Sequence, residues 1–294
     1  MQIKTKELLD RLTVPAGKRI ALRKDYDPGW VPKGITKQEA AFHLSQGVER
    51  LATYQDMLYA QNTHALLVVL QALDAAGKDG TIKHVMSGLN PQGCQVYSFK
   101  APSAEELSHD YLWRCARVLP ARGRIGIFNR SYYEETLIVR VHPDVLEREQ
   151  IPPELKDKGI WKRRFAEINA FEKYLTDNGI HVVKIFLNIS KEEQRRRFLA
   201  RIEHPEKNWK FSAADAAERT YWDEYLDAYE DAFNHTSTRE APWYIVPADH
   251  KWFAHIAVAR IVYARMKTLK LAYPTVSEAQ KEELEKARRI LEKE

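Results

Sequence analysis

The chain has 294 residues, 44% of them hydrophobic and 30% charged, with a formal net charge of +5. That balance is typical of a folded enzyme with a sizeable core, and it excludes a disordered or fibrous chain. The longest purely aliphatic run, residues 65–70, is far short of the roughly 20 residues a membrane helix needs, and two cysteines cannot supply a disulfide framework or a cysteine-rich metal site.

The N-terminus has no apolar segment resembling a secretory signal, so a cytoplasmic protein is expected. The ten histidines are scattered, without the HExxH spacing of a transition-metal site. Residues 1–35 are basic and rich in turn signals, and read as an arm laid over the domain. Thr36-Lys37-Gln38-Glu39 has the pattern of a capping box, opening a helix whose stripe is Leu44, Val48, Leu51 and Leu58.

From there strands and helices alternate. Residues 65–70 form an unbroken apolar run, as expected of a strand buried on both faces of a parallel sheet. A helix is predicted over 77–87, a strand over 95–99, and a helix capped by Ser103 running to about 119. Strands at 124–128, 181–187 and 243–246 follow, with helices at 161–177, from Ser190, and at about 213–233. The alternation implies βαβ units and a five-stranded parallel sheet with helices on both faces. No repeat or Gly/Ser/Pro-rich linker divides the chain, so a single domain over 1–294 is expected. Residues 276–294 read as a surface helix with Leu284, Ala287 and Leu291 on one face, a possible contact in a homo-oligomer.

The chemistry concentrates where the first strand hands over to a helix, at Asp74-Ala75-Ala76-Gly77-Lys78-Asp79-Gly80-Thr81. Unpaired N–H groups and the positive end of the helix dipole favour an anion there. Gly77 lets the backbone approach a phosphate, and Lys78 offers a cation. Against the consensus GxxxxGK[ST], Ala72 replaces the first glycine and Asp79 the hydroxyl residue. Asp74 is informative because a carboxylate in a phosphate cradle repels the ligand unless a cation intervenes. That makes Asp74 a candidate magnesium ligand, the competing reading being a helix cap. At the tip of the third strand, Arg130 is placed to bind the migrating phosphoryl, with Glu134 or Glu135 near the acceptor. The competing readings there are surface ion pairs.

After the fourth strand, residues 191–210 carry seven Lys/Arg against four Asp/Glu. Arg197 and Arg201 share a helical face, and Lys207 and Lys210 follow. In a phosphotransferase, such a segment at about 190–220 suits a lid that excludes water, although charge runs are usually solvated surface.

Together with Asn90-Pro91-Gln92-Gly93, Asp110-Tyr111-Leu112-Trp113-Arg114, Phe128-Asn129-Arg130-Ser131-Tyr132-Tyr133-Glu134, Lys207-Asn208-Trp209-Lys210-Phe211-Ser212 and Ala241-Pro242-Trp243-Tyr244, these residues resemble the type 2 polyphosphate kinase family over about 34–271. The resemblance implies an α/β P-loop kinase fold with a helical lid, Mg2+ as cofactor, and inorganic polyphosphate as partner to AMP, ADP and ATP. It implies catalytic roles for Asp74, Lys78 and Arg130, with Asp74 linked to the metal. Polyphosphate would contact Ala75, Ala76, Gly77, Lys78, Asp79, Gly80, Arg197, Arg201, Lys207 and Lys210, and the nucleotide would lie by Arg114, Asn129, Glu134 and Glu135. Many members carry Asp before the strand-three arginine, where this chain has Asn129. With Tyr133-Glu134-Glu135, that resembles the class III subgroup, which phosphorylates both AMP and ADP. The rivals are an ATP-dependent nucleoside monophosphate kinase, disfavoured by Asp74 and Asp79, and a nucleic-acid-associated P-loop protein, for which no recognition motif is present. Neither nucleic acid nor membrane is expected as a partner.

Overall fold

The structure is a computed structural model and describes residues 4–294, so positions 1–3 of the expected arm lie outside the described residues. Five strands form one sheet: β1 (Ala65–Ala72), β2 (Cys94–Ser98), β3 (Ile125–Asn129), β4 (Ile180–Asn188) and β5 (Trp243–Pro247). Their order is β2-β3-β1-β4-β5 and every pairing is parallel. All eight residues of β1 are buried, which requires cover on both faces.

That cover comes from two groups of helices. Lys184 and Phe186, two apart on one face of β4, meet Glu172 of the Ile160–Asp177 helix and Phe233 of the Trp222–Thr236 helix. The Ala40–Gln61 and Lys251–Thr268 helices pack on each other, and Lys78–Val85 packs against the second of them. Because β1 has β3 on one side and β4 on the other, the connections diverge at its carboxyl end and leave a crevice there.

Several expectations need correcting. The arm is not wholly irregular: Thr5–Leu12 is a helix that buries Leu8 and Leu12, and the Val14 amide donates to Trp243 O at 2.9 Å. Thr36 and Glu39 do exchange hydrogen bonds, but only as a turn before the helix begins at Ala40. The Ser103 capping box forms, yet its helix stops after Leu107 and a second turn covers Trp113–Ala116. Asp110 Oδ1 accepts the Leu112 amide between them, a local bond that competes with continuing the helix. The helix expected over 213–233 is two helices, Ala213–Glu218 and Trp222–Thr236, joined by a 3-10 turn. Lys251–Thr268 is a helix beyond those expected from the sequence pattern. Glu278–Leu291 is helical as expected, and none of its residues is buried.

Candidate active site

The segment after β1 is held in an unusual backbone form. Ala75 (φ 61°) and Gly77 (φ 110°) both lie in the left-handed region, costly for alanine and free for glycine. Gly77 is the N-cap of the Lys78–Val85 helix and offers no side chain, so the first turn keeps its N–H groups for a ligand. Asp74 therefore is not the helix cap. Its Oδ1 accepts from Arg130 Nη2 at 3.2 Å.

Arg130 is itself a non-glycine residue at φ 65°, with its amide donating to Leu70 O at 3.0 Å. Burial opposes its charge, but Glu134 and Asp74 outweigh that and raise its pKa. The ammonium of Lys78 donates to Ala72 O at 2.8 Å. Burial lowers its pKa, while the Asp74, Glu134 and Asp79 carboxylates resist the shift. Glu134 is pushed up by burial and pulled back by Arg130 and Lys78. One cluster of alternating charges thus joins the ends of β1 and β3.

Arg197 is not where a phosphate-facing lid cation would be. Its side chain is 5% exposed, and every guanidinium N–H has a protein acceptor. Nε donates to Glu193, Nη1 to Ala75 O and Ala76 O, and Nη2 to Ala248 O and Asp249 O. These bonds clamp the strained part of the loop to the Lys191–Glu203 helix. Beside it, Gln194 Nε2 donates to Asp74 O and Gln194 Oε1 accepts from Arg219. Arg201 donates to Lys210 O and stands 3.8 Å from Asp215. Lys207 and Lys210 lie on the exposed 3-10 turn Pro205–Lys210, around Trp209, which is 79% exposed.

Two cavities meet at this cluster. A narrow cleft is lined by Asp74, Arg130, Glu134, Gln194, Asp215 and Arg219. A larger cavity of about 480 Å³ shares Arg130 and Glu134 and extends between Lys100, Leu112, Arg114, Ile138, Val145 and Ile160. The volume is within the usual range for a small-ligand site. Arg114 and Glu135 line it as an ion pair (3.4 Å), and burial with Glu149 nearby pushes the Glu135 carboxyl up to about 7. Arg114 also donates to Lys100 O. Asn129 does not line this cavity: its Nδ2 donates to Asp79 Oδ1 at 2.9 Å, tying strand β3 to the phosphate loop. Arg164, which pairs with Glu149 and donates to Glu135 O, was missed from sequence because its partners come from separate turns.

For a cation, the donor set is all oxygen. Asp74 and Asp79 supply carboxylates, and the buried Oδ1 of Asn129 and Oε1 of Gln71 have no partner among the described residues. No group of three or more His, Cys, Asp or Glu is gathered as a complete cage among the described residues. Hard oxygen donors in small number fit magnesium, which takes one or two carboxylates and completes its shell with phosphate and water.

The polyphosphate kinase 2 family model matches residues 34–273. The chain is 52% identical to an ADP-polyphosphate phosphotransferase of Rhodopseudomonas palustris, covering 99% of each chain. It is 44% identical to an AMP/ADP-polyphosphate phosphotransferase of Meiothermus ruber, over 81% of this chain and 85% of that one. The crystal structure of polyphosphate kinase 2 from Arthrobacter aurescens superimposes with a TM-score of 0.85 at 41% identity, covering 96% of each chain. The sheet order, the phosphate loop and these matches converge: the chain belongs to the polyphosphate kinase 2 family.

Proposed function

We propose that the protein is a magnesium-dependent enzyme that moves the terminal phosphoryl of inorganic polyphosphate onto AMP and ADP, forming ADP and ATP. The observation that carries this reading is the meeting of the two cavities at Arg130 and Glu134. In the narrow cleft beside the phosphate loop, Arg130 and Arg219 would meet the polyanion directly and Asp74 would meet it through magnesium, while the 480 Å³ cavity suits a nucleoside whose phosphates point toward Arg130.

An acceptor phosphate oxygen attacks the terminal phosphorus in line, and the bridging P–O bond breaks. The shortened polyphosphate leaves with the electron pair. Both reacting groups are ionised at pH 7, so no general base is required, and positioning with charge neutralisation supplies the catalysis. Lys78 and Arg130 carry the positive charge on the protein side. Asp74 orients Arg130, and Asp74 with Asp79 would hold magnesium, which when bound would screen the phosphate oxygens. Residues 190–220 act as a lid: the clamped base sets the loop, and Lys207 and Lys210 at the tip meet the polyanion. The cell compartment proposed is the cytoplasm; no helix among the described residues is long and apolar enough to cross a membrane.

Incubation of ADP or AMP with polyphosphate and magnesium, without ATP, tests this directly. ATP from ADP, and ADP then ATP from AMP, are expected. Turnover of AMP only when ATP is supplied would identify an ATP-dependent monophosphate kinase instead.

A further inference from the structure

One buried group of charges takes no part in the chemistry above. Lys184, in the middle of β4, has no exposed surface, and Glu172 of the Ile160–Asp177 helix is 1% exposed. Lys184 Nζ spends its three N–H bonds on Glu172 Oε2 (2.6 Å), Thr236 O (2.6 Å) and Tyr133 OH (3.0 Å). Glu172 Oε1 accepts from the hydroxyls of Tyr132 and Tyr133, both at 2.9 Å. Those tyrosines sit between Arg130 and Glu134 in sequence, on the 3-10 turn Tyr132–Thr136.

Packing alone would keep the tyrosine rings inside. Tyr133 meets Trp243 edge-on at 4.7 Å, and Tyr132 meets Phe171 at 5.5 Å. A buried ion pair adds little to stability, because dehydrating two charges offsets their attraction, and well-packed apolar replacements are often as stable. What the pair adds is direction. Two hydroxyls are fixed on one carboxylate oxygen, so the turn after Arg130 has one rotational setting. Ser131 completes it, its Oγ accepting from the Tyr133 amide and from Gln71 Nε2, both at 3.2 Å. Arg130, in a left-handed conformation, requires surroundings that over-determine it.

We propose that Lys184 and Glu172 are positioning residues for phosphoryl transfer, acting through the hydroxyls of Tyr132 and Tyr133 to fix the turn that aims Arg130 and Glu134. The inference rests on the functional reading above, in which Arg130 faces the transferred phosphoryl. A displacement of about 1 Å in such a group can cost 100-fold in rate, so loss of the pair is expected to act on turnover more than on binding.

Two variants test it: Tyr133→Phe, which keeps the ring and removes the hydroxyl, and the double variant Lys184→Met with Glu172→Leu, which removes both charges together. Each is assayed with ADP, polyphosphate and magnesium, alongside denaturant unfolding. The expected result is a kcat per folded molecule at least about 10-fold lower and a KM for polyphosphate within about 2-fold of the parent. The double variant is expected to unfold at a lower midpoint, because the Tyr132 and Tyr133 hydroxyls and Thr236 O lose their buried partners. Parent-like kcat in a folded double variant, or in Tyr133→Phe should the double variant not fold, would overturn the inference. Loss of kcat only in proportion to lost folded protein would overturn it equally. An unmodified protein with no polyphosphate-dependent turnover would instead overturn the functional reading beneath it.

Discussion

The phosphate loop and the tip of the basic segment carry similar charges and use them in opposite ways. At the loop, Lys78, Arg130 and Arg197 are each tied to a protein oxygen, and two of the residues around them hold left-handed backbone. At the tip, Lys207 and Lys210 are exposed: the Lys207 ammonium lies 3.7 Å from Glu206 and the Lys210 ammonium 4.8 Å from the Trp209 ring. A fixed cation stabilises charge at one point without reorganising, which is what a transition state requires. A solvated, mobile-headed lysine offers charge to any part of a repeating polyanion, which is what capture requires. On the proposed reading, place in the fold, more than residue type, separates the two jobs.

The largest effect is expected at the loop. Lys78→Ala should lower kcat by about 10²–10³, the usual loss when one preorganised charge-stabilising group is removed, with the KM for polyphosphate little changed. Single-turnover kinetics at saturating polyphosphate would check this, and a variant losing only affinity would move Lys78 into the capture class. Asp74→Asn should follow at about 10² and should also raise the magnesium concentration needed for half-maximal rate. A normal magnesium curve with a lowered rate would leave Asp74 as the partner of Arg130 alone.

Arg197 sharpens the contrast, because it belongs by sequence to the lid and by contacts to the loop. Arg197→Ala should destabilise the fold by about 3 kcal/mol, since Glu193 and loop carbonyls lose a buried partner. Arg197→Lys should recover little, having a single ammonium where the site needs a planar fork. Urea unfolding measures both. Lys210→Ala, at an exposed site, should shift stability by less than about 0.5 kcal/mol.

The last effect is a pH dependence at the cavity. The Glu135 carboxyl is raised from 4.5 to about 7 by burial, so the folded state holds its proton more tightly than the unfolded chain. Its contribution to stability is therefore full below about pH 4.5 and is lost as pH rises to and through about 7. Glu135→Gln should flatten the fall in unfolding free energy between pH 5 and 8. An unchanged profile would show that Glu135 stays ionised against Arg114 and Arg164.

The frame of the molecule could be read from sequence wherever periodicity was strong. All five strands fall within two residues of expectation, β1 most plainly because a parallel strand buried on both faces writes a continuous apolar run. The Lys251–Thr268 helix left no such mark: Phe253, Ile256, Val258, Ile261 and Val262 are buried around its whole circumference, and a helix apolar on every side has no stripe to detect. The phosphate loop was legible because its chemistry is local, within a few consecutive residues. Arg197 was not, since adjacent arginines in a charged helix differ only in which way they face, and that depends on a loop some 120 residues away. The Lys184–Glu172 pair was hidden for the same reason: a lysine inside an apolar strand shows its meaning only when its partner on another element is known.

The division of labour between loop and tip is most directly tested by the double variant Lys207→Ala with Lys210→Ala, assayed for kcat, KM for polyphosphate and KM for ADP across a range of salt concentrations. By analogy with counterion release from nucleic acids, each lost phosphate contact should reduce the salt slope of polyphosphate affinity by about one unit. The account predicts a raised KM for polyphosphate, a flatter salt dependence, and an unchanged kcat and KM for ADP. A lowered kcat with the salt slope intact would contradict it, because the tip would then be acting in the transfer step itself.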